Sequence, residues 1–251
     1  MQTGKVYLIG AGPGDPELMT LKAVRLLNSA DVVLIDDLVN RAVLVHARSD
    51  ARIIEVGKRG GCQSTPQAFI HRRMIGEARA GKVVARLKGG DPFMFGRGGE
   101  EIEALRAAGI PVEAISGVTS GIAAPAALGI PVTHRDWAPG VTFVTGHTRD
   151  GNSVNWAALA AARTTLVIYM GIKNLPDIVA QLLAAGLPAT TPAAVVQHGT
   201  LARQRQIKSN LGNLQAATQQ AGIGSPAIMV IGEVAGLAHI ETCAETAIKA
   251  A

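Results

Sequence analysis

Aromatic residues make up only 3% of this 251-residue chain, and cysteine occurs just twice. So few rings leave little material for stacking successive bases, which argues against a platform for single-stranded nucleic acid. Cys62 and Cys243 form neither a CxxC pair nor a metal-ligand spacing, and they are too few for a disulfide framework. Both read as structural or incidental thiols, and no metal is expected. No apolar run reaches the roughly 18 residues that a membrane span needs. The start, Met1-Gln2-Thr3-Gly4-Lys5, leads into a strand without a signal-peptide core. The expectation is a cytoplasmic protein with no membrane partner. Low-complexity tracts and short repeats are missing too, and a 48% hydrophobic content allows a sizeable core in one large domain or two small ones.

Acidic residues are the scarcer charge, 19 against 24 basic ones for a net +5, and the imbalance is local. Residues 52–97 hold Arg52, Lys58, Arg59, Arg72, Arg73, Arg79, Lys82, Arg86, Lys88 and Arg97 against Glu55, Glu77 and Asp91, an excess of +7. Such a window is either a solvated face or an attractor for a polyanion, whether nucleic acid or a small molecule with several carboxylates. No base-reading motif accompanies it, so nucleic acid is not expected as a partner.

Short β-rich runs alternate with helical spacing along the first half. Strands are expected over 5–9, 32–35, 53–56, 83–87 and 112–115, with helices following residue 16, over about 65–80, and ending near Gly109. Asp15 and Thr65 read as helix N-caps. This rhythm means a largely parallel sheet in an α/β fold. It pauses around Pro131-Val132-Thr133-His134-Arg135-Asp136-Trp137-Ala138-Pro139-Gly140. A second series then begins, with strands expected over 141–145, 166–169, 193–196, 204–209 and 227–231 and helices over about 175–185 and 211–220. The punctuation suggests an N-terminal α/β domain over 1–137 and a C-terminal one over 138–251.

The most informative segment runs over residues 87–101, Leu-Lys-Gly-Gly-Asp-Pro-Phe-Met-Phe-Gly-Arg-Gly-Gly-Glu-Glu. It leaves the C-terminal end of one strand and enters the next helix, where open α/β sheets bind ligands. Its glycines let a molecule approach the main chain, while Asp91 and Arg97 supply one charge of each sign. Gly10-Ala11-Gly12-Pro13-Gly14-Asp15 makes a second such loop. It fits a dinucleotide fingerprint poorly, since the third glycine position falls on Asp15 and Pro13 lacks the amide that a pyrophosphate would want. A nucleoside without a diphosphate suits it better. Asp36 and Asp37 end the second strand, Lys58 the third, and Thr119 with Ser120 follows the fifth. Parallel strands would bring all of these groups to one sheet edge.

Two long motifs then carry a resemblance. Gly10-Ala11-Gly12-Pro13-Gly14-Asp15-Pro16 with Leu18 and Thr20-Leu21, followed by Ala30-Asp31-Val32-Val33 and Asp36, resembles the first signature of the tetrapyrrole methylases. Arg86-Leu87-Lys88-Gly89-Gly90-Asp91-Pro92 through Phe95-Gly96-Arg97-Gly98-Gly99-Glu100-Glu101 resembles the second. Ile130-Pro131-Val132-Thr133-His134-Arg135 narrows the likeness to the branch that acts on uroporphyrinogen III. The similarity runs from about residue 5 to 234. It implies two α/β domains with S-adenosylmethionine in the cleft between them, no metal, and a homodimer.

By position, the resemblance assigns Pro13, Gly89, Gly90, Asp91, Met94, Thr119, Ser120, Met170 and Gly199 to the cofactor. It assigns acid and base roles to Asp36 and Lys58, with Asp36 the favoured proton acceptor. Arg97 is the third catalytic candidate, and its guanidinium suits anchoring of substrate carboxylates better than deprotonation. The implied reaction moves two methyl groups, one after the other, onto carbons 2 and 7 of uroporphyrinogen III, giving precorrin-2 through precorrin-1. A bifunctional relative carries a further dehydrogenase and chelatase module before the methylase strand, so this chain is expected only to methylate. Ile35 stands before Asp36 where many relatives place tyrosine. Another methylase of the superfamily, acting on a later corrin intermediate or a protein side chain, is the rival reading.

Overall fold

In the computed structural model, which describes residues 3–57, 66–147 and 154–239, the chain divides by packing into two units, Met1–Ser120 and Gly121–Ala251. The first is built from β1 (Val6–Gly10), α1 (Leu21–Leu27), β2 (Val32–Ile35), β3 (Arg52–Glu55), α2 (Gln67–Arg79), β4 (Val84–Lys88), α3 (Gly98–Ala107) and β5 (Val112–Ile115). Its five strands are all parallel, in the order β3-β2-β4-β1-β5. The interior strands β2 and β4 are buried along their whole length, as a sheet covered on both faces requires.

Alternate side chains divide between the two faces. Ile9, Val33, Ile35, Ala85 and Leu87 pack with Ala23 and Leu27 of α1. Val6, Leu8, Val32, Leu34 and Val84 pack with Ile70, Met74 and Ala78 of α2 and Leu105 of α3. The crossover from β1 to β2 therefore lies on one face, and those from β3 to β4 and β4 to β5 lie on the other and run the opposite way along the sheet. A single crossover hand demands this arrangement. The direction of winding reverses between β4 and β1, and the crevice at their C-terminal ends is where such a sheet accepts a ligand.

The second unit takes α4 (Ser120–Ala126) from its second residue onward, then β6 (Val141–Thr145), α5 (Trp156–Ala161), β7 (Thr165–Tyr169), α6 (Leu175–Ala184), β8 (Pro192–Gln197), β9 (Arg205–Asn210), α7 (Leu214–Gln220) and β10 (Ala227–Ile231). Its sheet order is β6-β7-β10-β8-β9, with β6 and β7 parallel and the remaining pairs antiparallel. Leu175, Ile178, Val179 and Leu182 of α6 cluster with Leu166, Ile168, Val195 and Met229 from the strands. The division between the units falls at Ser120 and Gly121, earlier than the boundary expected near residue 138. The reason lies in α4: the Gly121 amide donates to the Tyr169 hydroxyl at 2.7 Å, and Ala124 packs so closely on Gly199 that a Cβ there would sit 2.6 Å from the Ala124 Cβ. The proline and glycine punctuation instead marks a loop closed by a bridge between His134 and Ala138.

Candidate active site

At the crevice between β4 and β1 the two glycine loops are joined to each other. Past the strand ends, the Ala11 amide donates to the Lys88 carbonyl at 2.8 Å, and Gly12 and Gly90 exchange hydrogen bonds at 3.3 and 2.7 Å. Gly12 and Gly90 both adopt left-handed backbone, with φ of +77° and +67°, which a residue without Cβ reaches at little cost. The loop after β5 closes the cluster. A Cβ on Gly117 would lie 2.3 Å from the Gly90 carbonyl oxygen, and one on Gly10 would lie 2.5 Å from the Gly117 nitrogen. Three neighbouring strand ends thus meet backbone to backbone, with the Thr119 Cα only 3.6 Å from where a Gly90 Cβ would stand. Pro13 is half-buried beside them, Gly89 lies against Leu38, and Ser120 is half-buried at the start of α4.

Asp91 locks this cluster. One carboxylate oxygen accepts the Phe93 amide at 2.8 Å and the other accepts the Gly117 amide at 3.1 Å, tying the loop after β4 to the loop after β5. Sequence reasoning offered Asp91 to a ligand hydroxyl or cation. The fold gives each oxygen a backbone partner, leaving only its second lone pairs for anything else. The turn that follows is tight, with the Gly98 amide on the Pro92 carbonyl at 3.0 Å, Met94 half-buried within it, and Phe95 and Arg97 held at φ of 53° and 58°. Left-handed backbone at bulky residues stores strain of a kind that gathers at functional sites. Arg97 projects into solvent, where its guanidinium makes a two-pronged pair with Glu100 at 2.9 and 2.6 Å. That carboxylate raises the Arg97 pKa further, so the side chain acts as a fixed cation rather than as a base.

Asp36, at the end of β2, borders a cavity of about 170 Å³ lined also by Ile35, Asp37, Val39, Arg41 and Glu55. Its carboxylate accepts Arg86 Nη2 at 2.9 Å. Arg86 is 2% exposed and donates onward from Nε to Glu101 Oε1 at 3.3 Å, while Lys88 Nζ reaches the same oxygen at 3.2 Å. Burial, with the neighbouring Arg86 charge second, lowers the pKa of Lys88. Lys58, the other proposed acid or base, lies outside the described residues.

In the second unit, Met170 follows β7 and Gly199 follows β8. Met170 is half exposed with φ 54°, and Gly199 sits between His198 and Thr200, both also left-handed at 52° and 68°. Both strands point the same way, so these residues share one sheet edge. Met170 would pass for core on composition, yet its side chain faces out. No described helix is long and apolar enough to cross a membrane.

A family model for tetrapyrrole (corrin/porphyrin) methylases matches residues 5–215. The chain belongs to the tetrapyrrole methylases. It is 55% identical over 232 residues to a uroporphyrinogen-III C-methyltransferase from Pseudomonas aeruginosa, covering 92% of this chain and 94% of that protein. The crystal structure of the uroporphyrin-III C-methyl transferase from Thermus thermophilus, complexed with S-adenosylhomocysteine, superposes with a TM-score of 0.79 at 40% identity, covering 92% of this chain and 93% of that one. A cobalt precorrin-4 methyltransferase superposes with a TM-score of 0.83 at 29% identity, over 92% of this chain and 95% of the other. The better superposition belongs to the less similar sequence, so within this family the fold alone does not select a substrate.

What sequence reasoning about this tetrapyrrole methylase missed is the buried charge. Along the chain Arg86 and Lys88 belong to a basic window, and Glu101 to a motif. Their spacing held a signal: an arginine and a lysine at alternate positions of a buried parallel strand must share one face and need a counter-charge there.

Proposed function

We propose that the chain is an S-adenosylmethionine-dependent methyltransferase that converts uroporphyrinogen III to precorrin-2 by two successive methyl transfers, at carbons 2 and 7. The observation that carries the reading is the joined glycine cluster at the crevice between β4 and β1. It fits a nucleoside lacking phosphates: Gly89 and Gly90 present bare backbone, Pro13 withholds a donor, and Thr119 brings a hydroxyl to the same strand ends. In this reading Pro13, Gly89, Gly90, Met94, Thr119 and Ser120 contact the methyl donor, and Asp91 holds their loops in register. In the second unit Met170 and Gly199 serve the same ligand, the thioether side chain offering an adaptable apolar wall to the adenine.

When bound, S-adenosylmethionine supplies an electrophilic methyl on a sulfonium. An electron-rich pyrrole carbon of the reduced macrocycle attacks it, so the carbon–methyl bond forms as the sulfur–methyl bond breaks, with no covalent enzyme intermediate. The protein's part is orientation and, at each methyl transfer, removal of one proton from the methylated macrocycle. Asp36 is the proton acceptor, with Lys58 the second acid–base group. Arg97 anchors substrate carboxylates, exchanging its pair with Glu100 for one with the ligand. The reading carries with it a cytoplasmic homodimer that engages neither nucleic acid nor membrane.

The test is incubation with S-adenosylmethionine and anaerobically prepared uroporphyrinogen III, followed by mass analysis. A product heavier by two methyl groups is expected. No gain where a control enzyme succeeds overturns the assignment, and methylation of a later corrin intermediate instead would move it elsewhere in the family.

A further inference from the structure

The first unit buries three charged side chains that the proposed chemistry does not use. Glu101, in the first turn of α3, is fully buried, Arg86 is 2% exposed and Lys88 4%. Burying ions is unfavourable unless each is paired, and apolar residues of similar size would serve packing as well. Their arrangement is directional. Arg86 lies between two carboxylates, with Nη2 on Asp36 at 2.9 Å, Nε on Glu101 at 3.3 Å and Nη1 on the Leu87 carbonyl at 3.1 Å. Among the described residues Glu101 uses a single oxygen for its hydrogen bonds, from Arg86, from Lys88 at 3.2 Å and from Gln67 of α2 at 3.0 Å, while Oε2 is buried with no partner there. Two members of the network, Gln67 and Asp36, are half-buried, and Asp36 borders the cavity at the end of β2.

We infer that Arg86 and Glu101 are positioning residues that act on Asp36 from beneath, Arg86 fixing its rotamer and Glu101 moderating the positive charge that Arg86 and Lys88 present to it. The inference rests on the reading of Asp36 as proton acceptor. Glu101 lies against both buried cations and offsets one of them, while Arg86 keeps one Asp36 oxygen pinned. Among the described residues, the other charged groups around Asp36 are Asp37, Arg41 and Glu55, which line its cavity, with Arg41 and Glu55 paired to each other.

The partnerless oxygen allows a clean test. In Glu101→Gln the amide oxygen keeps all three hydrogen bonds and the NH2 takes the place of Oε2, so charge changes and shape does not. The Asp36 titration, followed by carbon-13 NMR of its carboxyl in the full-length protein, is expected to fall by about one pH unit in Glu101→Gln and to rise by a similar amount in Arg86→Gln. Glu101→Asp, which restores the charge, should return it toward the wild-type value. Titrations that coincide with wild type in both glutamine variants overturn the inference, whatever the catalytic activity. The acid limb of the pH–rate profile for methyl transfer should move in the same directions, whereas structural damage alone would lower the rate at every pH. An NMR shift with a stationary acid limb overturns Asp36 as the proton acceptor.

Discussion

Asp91 and Arg97 are six positions apart on one loop, yet their surroundings give them different work. Among the described residues Asp91 has no side-chain partner: its oxygens hold the Phe93 and Gly117 amides, and a hydrogen bond to a charged group contributes about 1.5–3 kcal/mol. Removing the carboxylate frees two amides and lets the loops after β4 and β5 drift apart. Asp91→Ala should therefore weaken S-adenosylhomocysteine binding by about 10- to 100-fold in isothermal titration calorimetry. Asp91→Asn should rescue little, since its NH2 would face an amide donor. Arg97 pairs with Glu100 in solvent, and exposed pairs of this kind contribute at most about 1 kcal/mol. Arg97→Ala should leave cofactor affinity within about twofold while raising KM for uroporphyrinogen III. Equal loss of cofactor affinity in both variants would refute the division of roles. The charges of both residues were plain in the sequence, but their partners were not. Gly117 lies 26 positions from Asp91 and meets it only because β5 returns beside β1.

At the scale of elements, the strand ends of the first unit are held together by the absence of side chains. A Cβ on Gly117 would meet the Gly90 oxygen at 2.3 Å and the Gly10 carbonyl carbon at 2.8 Å, both backbone atoms that cannot swing aside. Gly76, exposed within α2, has no described atom within 4 Å of its missing Cβ beyond its chain neighbours and its own helix backbone. The two therefore predict opposite signs. Gly117→Ala should lower stability in urea denaturation and abolish cofactor binding, whereas Gly76→Ala should add roughly 0.5–1 kcal/mol through helix propensity alone. Gly117→Ala with wild-type stability and affinity would show that the three strand ends need not touch. The sequence made the parallel strands of this unit legible to within a residue, because β-branched runs bounded by glycine and charge leave little freedom. It hid α4, Ser120–Ala126, whose glycine, serine and internal Pro125 oppose helix and which persists by burying Gly121, Ala123 and Ala124.

Over the whole molecule, the basic window looks different in three dimensions. Arg52 and Arg73 share Glu77, Arg86 is held by Asp36 and Glu101, Lys88 by Glu101, and Arg97 by Glu100. Three of those carboxylates, Asp36, Glu100 and Glu101, come from outside residues 52–97. The excess counted along the chain is thus partly offset in space, leaving a field suited to local anchoring more than to long-range capture of a polyanion. Binding of a small ligand should then be the larger perturbation of the whole fold. S-adenosylhomocysteine at about 100 times its Kd should add about 2.7 kcal/mol by mass action, which for a chain of this length raises Tm by about 5–10 °C. Duplex DNA at matched charge should raise it by far less, and that small shift should vanish with added salt. Differential scanning fluorimetry with both ligands checks this, and the variants place it: the rise should shrink in Asp91→Ala and persist in Arg97→Ala. A salt-sensitive shift with DNA that exceeds the one with S-adenosylhomocysteine would return the basic window to the role of a nucleic-acid surface.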